Sequence, residues 1–141
     1  MKKILIVNAN YYDNISKKLV FSSKNLFKEK KFSLSLINVP GIFEIPFVIT
    51  KNLKKFDAFI ALGCVIKGET PHFEFICKST FDAILKISIT YKKPIGNGII
   101  TALNLRQAKE RCGLIKTKKP NKGLEASKAV LSILNNGFKK I

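Results

Sequence analysis

The sequence predicts an α/β fold, a three-layer sandwich around a four-stranded parallel sheet. Ala58 to Val65 is a near-continuous apolar run, the pattern of a central parallel strand covered on both faces. Phe73 to Ile89 carries a helical stripe of Phe73, Ile76, Cys77, Thr80, Phe81, Ile84, Leu85 and Ser88. Strand-like and helix-like segments alternate along the rest of the chain, which implies right-handed crossovers and a parallel sheet.

Each element follows from its local pattern. Lys3 to Asn8 reads as a buried first strand. Ile15 to about Glu29 reads as a helix with Ile15, Leu19, Leu26 and Phe27 on one face. Phe32, Leu34 and Leu36 alternate with polar residues, which is a strand pattern. Val39-Pro40-Gly41 forms a turn, and Ile45 to Leu53 a short helix with Pro46 tolerated in its first turn. Pro94 to Ile100 is the fourth strand, and Asn104 to Cys112 a short helix. A Lys-rich loop, Lys116 to Asn121, leads into a last helix, Leu124 to Leu134, closed by Asn135-Asn136-Gly137. The order of elements is of flavodoxin-like type.

The chain has 141 residues, a length that suits one domain over residues 1–141. Such a domain buries roughly two-thirds of its unfolded surface, so neither disulfides nor metal are required to hold it. Ala58 to Ile66, the longest apolar run, is about half of the roughly 18 residues that a membrane span needs. Met1-Lys2-Lys3 followed by Ile4 to Val7 imitates a signal peptide, but Asn8 and Asn10 break the apolar block. Three cysteines, Cys64, Cys77 and Cys112, form no disulfide framework, and reduced thiols in the cytoplasm are the expectation. Lys and Arg number 26 against 9 Asp and Glu, a formal net charge of +17. That field attracts phosphates, but the lysines are scattered in pairs, as on a solvated surface rather than a specific nucleic-acid footprint.

Parallel sheets bind ligands beyond the carboxyl ends of their strands, near helix N-termini. Gly68-Glu69-Thr70-Pro71 occupies such a position, between the central strand and the long helix. Its backbone N–H groups and the Thr70 hydroxyl suit an anion. His72, the single histidine, stands on the same loop, and imidazole is the side chain best suited to proton transfer near neutral pH. Glu44 suits either hydrogen bonding to hydroxyls or balancing a helix dipole. Tyr11 and Tyr12 suit either stacking on a planar ring or rim packing. Arg111, one of two arginines, suits bidentate phosphate binding or a helix C-terminal cation. Gly96-x-Gly98 lacks the third glycine of a dinucleotide fingerprint. Cys64, His72 and Cys77 do not match a zinc spacing, so no metal is expected.

Together, NANYYDNIS (Asn8 to Ser16), VPGIFEIP (Val39 to Pro46), GCVIKGETPHF (Gly63 to Phe73), PIGNGIIT (Pro94 to Thr101), NLRQAKER (Asn104 to Arg111) and NKGLEA (Asn121 to Ala126) resemble the lumazine synthase family. Their order and spacing agree with that family over nearly the whole chain. The resemblance implies condensation of 5-amino-6-(D-ribitylamino)uracil with 3,4-dihydroxy-2-butanone 4-phosphate, without cofactor. It implies that Tyr11 stacks on the pyrimidine, that Ile42, Phe43 and Glu44 hold the ribityl chain and ring edge, and that Val65, Ile66 and Lys67 line the ring. Gly68, Glu69 and Thr70 would form the phosphate loop, and His72 would transfer protons. Asn97, Lys122 and the phosphate-binding Arg111 would come from a neighbouring subunit, so that the sites sit at the interfaces of a homo-oligomer built on pentamers. The chain departs from the usual pattern in having Tyr11 where Phe is common, Asn97 where many members stack a Phe, and Lys67 where Arg is frequent. Its segment between Arg111 and Lys122 is also longer and more basic than in many members.

Overall fold

The first strand, β1 (Lys2–Ala9), sits inside the sheet, and its side chains are buried on both faces from Ile4 onward. A computed structural model describes residues 1–137 and 139–141 of the chain. β1 is followed by α1 (Asp13–Phe27) and β2 (Phe32–Val39). A 3-10 turn (Ile42–Glu44) then leads into α2 (Ile45–Lys51) and β3 (Ala58–Ile66). The remainder is α3 (His72–Tyr91), β4 (Ile95–Ala102), α4 (Leu105–Cys112) and α5 (Lys122–Leu134).

The four strands are all parallel in the order β2-β1-β3-β4. Ile4 stands opposite Leu34 of β2 on one side and Ala58 of β3 on the other, while Ile66 pairs with Ala102 of β4. Successive side chains of a strand point to opposite faces, and this divides the core in two. Ile4, Ile6, Ile60 and Leu62 pack with Ile15 and Leu19 of α1 and with Ala108 and Val130 of α4 and α5. Leu5, Val7, Phe59 and Ala61 pack with Ile45 and Ile49 of α2 and with Ile84 of α3. The α/β three-layer sandwich with a four-stranded parallel sheet is therefore the observed architecture, and double coverage is the physical reason that β1 and β3 read as unbroken apolar runs.

Boundaries differ from the sequence reading at the ends. α1 starts and ends two residues earlier than the pattern suggests, and α3 extends outward to His72 and Tyr91. α5 begins at Lys122 because the Asn121 side chain accepts from the Leu124 N–H and caps it. Two apolar positions of the sequence patterns are exposed rather than core. Leu36 is exposed because β2 is the outermost strand and α1 lies over β1 and β3 instead. Leu85 is exposed because the apolar stripe of α3 is wider than the face that the sheet covers. Among the described residues no helix is long and apolar enough to cross a membrane.

Candidate functional site

From β1 the chain crosses to β2 on one side and then returns past β1 to β3 on the other. The ends of β1 and β3 thus flank the switch point of the sheet, where the crossovers diverge and leave a crevice. A cleft of about 320 Å³ opens there. Ala9, Tyr11 and Tyr12 follow β1 into it, Gly41 and Ile42 come from the turn after β2, Cys64, Val65 and Ile66 end β3, and His72 and Ile76 enter from α3.

Close packing brings these segments together. Gly63 lies on β3 under the 3-10 turn, where a Cβ would stand 2.9 Å from Ile42 Cγ2 and 3.0 Å from Ala9 Cβ. Only a glycine lets the turn settle at this depth. The Tyr11 and Tyr12 rings meet edge to face with centroids 5.0 Å apart. Tyr12 is half-buried, while Tyr11 is 76% exposed, and both line the cleft. Burial pushes the Tyr12 hydroxyl's pKa above its ordinary value, with smaller contributions from Cys64 and Tyr11.

The α3 end of the cleft carries its polar chemistry. No side chain caps the first turn of α3, and Pro71 holds the capping position. The first-turn N–H groups lack helical carbonyl partners, and the Gly68-Glu69-Thr70 loop that leads into them is exposed. His72 begins the helix and is shared between this cleft and an adjoining one of about 410 Å³ that also includes Phe43 and Phe75. Lys67 leaves β3 with its N–H donated to Ala102 O, and its ammonium lies 3.8 Å from Glu74 in the first turn of α3. Glu44 is exposed and makes no side-chain cap to α2, so its carboxylate is available to a ligand.

Cys64 is chemically quiet despite its place in the lining. Burial, with Cys112 and Cys77 adding to it, pushes its thiol up to about 12, so it stays protonated and is no nucleophile at neutral pH. Among the described residues no group of three or more His, Cys, Asp or Glu is placed to hold a metal ion. A larger groove of about 510 Å³ runs between α1 and β2. Its walls are Lys, Asn and apolar residues with no imidazole or carboxylate, so size does not locate the chemistry.

The single chain brings together Tyr11, Ile42, Val65, Ile66 and His72, with Phe43 alongside. Glu44, Lys67, Gly68, Glu69 and Thr70 stand on the adjoining turn and loop, outside the lining itself. Asn97, Arg111 and Lys122 lie elsewhere. Asn97 lies within β4 opposite Ala61, accepts from the Ile99 N–H, and lines a separate cleft beside Phe81 and Ile84 of α3. Arg111 lines another cleft, of about 180 Å³, with Thr101, Ala102, Gln107 and Lys119. Lys122 opens α5 and is paired with Glu125. Tyr12, which the sequence offered for stacking or rim packing, belongs to the lining, as do Cys64 and Ile76, which sequence reasoning did not place there. Ile76 was within reach of helical periodicity, since it stands one turn after His72 on the same face.

The family model described as 6,7-dimethyl-8-ribityllumazine synthase matches residues 1–137. This chain belongs to that family. It is similar to the 6,7-dimethyl-8-ribityllumazine synthases of Campylobacter jejuni (strain RM1221), at 40% identity over 94% of this chain and 88% of that protein, and of Campylobacter curvus, at 40% over 95% and 87%. The enzyme of Aliarcobacter butzleri is 37% identical over 95% of this chain and 87% of its own. Three of the lumazine synthase motifs read from the sequence, NANYYDNIS, VPGIFEIP and GCVIKGETPHF, fall at the carboxyl ends of β1, β2 and β3 and at the start of α3, where the cleft lies; the other three fall on β4, α4 and the start of α5.

Proposed function

We infer that this chain condenses 5-amino-6-(D-ribitylamino)uracil with 3,4-dihydroxy-2-butanone 4-phosphate to 6,7-dimethyl-8-ribityllumazine, releasing phosphate and water, in the penultimate step of riboflavin biosynthesis. Family membership across residues 1–137 carries this reading. The switch-point cleft with His72 at its rim supports it.

The substrate's own amine attacks the ketone, so no protein nucleophile is required and a neutral Cys64 is no obstacle. The protein's task is to hold two partners in reacting geometry, which removes an entropic barrier. Tyr11 stacks on the pyrimidine, with Val65, Ile66 and Lys67 along the ring. Ile42, Phe43 and Glu44 hold the ribityl chain and ring edge. The free N–H groups at the start of α3, with Gly68, Glu69 and Thr70, receive the phosphate. His72 passes protons as water leaves the carbinolamine and as phosphate departs.

The working particle is a homopentamer in the cytoplasm, with each site completed by Asn97, Arg111 and Lys122 of a neighbour. Two observations support the assembly. Asn97 and Arg111 stand outside the His72 cleft of their own chain. Phe43 of the 3-10 turn, Phe47 of α2 and Phe75 and Ile89 of α3 are all at least 67% exposed, and exposed apolar side chains on neighbouring elements suit a protein interface. Three free thiols fit a reducing compartment. Incubating the purified protein with both substrates tests the reaction directly. Fluorescent lumazine should accumulate, and folded protein that yields none overturns the assignment.

A further inference from the structure

We propose that Lys119 is a second phosphate-binding cation beside Arg111, and that Glu110 is the positioning residue that holds it there. The proposal rests on Arg111 being the phosphate ligand and extends that site to a residue of the long basic segment before α5.

The cleft around Arg111 is walled by hydrogen-bond donors. Arg111 and Gln107 come from α4, Thr101 from the end of β4, and Lys119 from the loop after α4. Gln107 Oε1 accepts from the Leu103 N–H at 2.8 Å, which leaves the two donors of its amide nitrogen free. The volume of about 180 Å³ suits a small anion.

Lys119 reaches this cleft through a specific backbone path. α4 ends at Gly113 with φ 88°, a left-handed conformation that glycine adopts without strain. The chain reverses there, with Leu114 and Ile115 N–H groups both donating to Lys109 O. The Lys119 N–H is held by the Thr117 hydroxyl at 3.2 Å, and its ammonium returns to Glu110 Oε2 at 2.7 Å. Glu110 is nearly buried, and its other oxygen accepts from Arg106 Nε at 3.4 Å. The Lys119 hydrogen bond is the main cause holding the Glu110 carboxyl below its ordinary pKa. One of the three donors of Lys119 is used on Glu110, and two remain for phosphate oxygens. Arg106, Lys119 and Arg111 against the single Glu110 leave a net positive rim.

The test compares Lys119→Ala, Lys119→Arg, Glu110→Gln and Arg111→Ala in the assembled enzyme, with circular dichroism to confirm folding. KM is measured for each substrate, and inorganic phosphate is titrated calorimetrically. Lys119→Ala should raise KM for the butanone phosphate and weaken phosphate about three- to tenfold, as for a half-exposed charge on an anion. KM for the pyrimidine should stay unchanged. Lys119→Arg should restore most of the loss, and Glu110→Gln should give a smaller rise in the same KM. If Lys119→Ala leaves phosphate binding intact while Arg111→Ala weakens it, the role of Lys119 is refuted and that of Arg111 stands. Equal losses for both substrates in Lys119→Ala also refute it. If Arg111→Ala leaves phosphate binding unchanged, the underlying assignment of Arg111 falls, and Lys119 with it.

Discussion

Gly63 and Ile42 are separated by less than the room a methyl group needs, since a Cβ on Gly63 would stand 2.9 Å from Ile42 Cγ2. The contact joins β3 to the 3-10 turn that carries Ile42, Phe43 and Glu44. Gly63→Ala should therefore push that turn outward. Overpacking of this kind costs about 1–3 kcal/mol, visible as a lower melting temperature. Binding of a ribityl-pyrimidine analogue should weaken more than binding of inorganic phosphate, because the turn rather than the α3 loop moves. Wild-type stability and affinity in this variant would show that the turn does not depend on Gly63.

His72→Ala should slow turnover by about 10²-fold, since positioned acid–base groups contribute about 10²–10⁴ and the substrates remain aligned without it. His72 sits at the cleft rim rather than in its floor, so KM for both substrates should change little. A steady-state rate that does not vary between pH 6 and 8 in the wild-type enzyme would remove His72 from proton transfer.

A site shared between subunits predicts complementation. His72→Ala and Arg111→Ala rings, dissociated and reassembled together, contain interfaces that pair an intact His72 with an intact Arg111. Such mixtures should recover part of the activity that each variant lacks alone. Mixed rings of normal size with no recovered activity would place both residues in one subunit's site.

Stability should decline with alkali in a way traceable to Cys64. Its thiol is raised by burial to about 12 from an ordinary 9.0. Below pH 9 it is protonated whether the chain is folded or not, so its contribution is intact. Between pH 9 and 12 the unfolded chain releases the proton and the folded one does not, so stability falls as pH rises. Urea midpoints across this range should fall less steeply in Cys64→Ala than in the wild type. Parallel curves would show that the thiol ionises equally in both states.

The strands and the long helix were legible in the sequence because each answers to one dominant local force. β3 is covered on both faces, so nearly every residue of Ala58–Ile66 is apolar. α3 shows its stripe because one side meets the sheet, although the sheet leaves Leu85 uncovered. The 3-10 turn at Ile42–Glu44 escaped notice because it is set by contact with Gly63 across the sheet rather than by its own residues. The motif-bearing loops were legible too, since a strand end followed by GETPH marks a ligand position before any coordinates are known.

By itself the sequence determined the layered α/β class, the place of the loops at the strand ends, and His72 as the one imidazole available to them. Only the tertiary structure decided which side chains share a cleft. It placed Tyr12, Cys64 and Ile76 beside His72, and it put Asn97 and Arg111 into clefts of their own. It also folded the loop after α4 back so that Lys119 meets Glu110. The reason is that periodicity reports which way a side chain faces within its own element. Which neighbours it then meets depends on strand order and on the path of turns such as Gly113, and these are settled by packing between residues far apart in the chain.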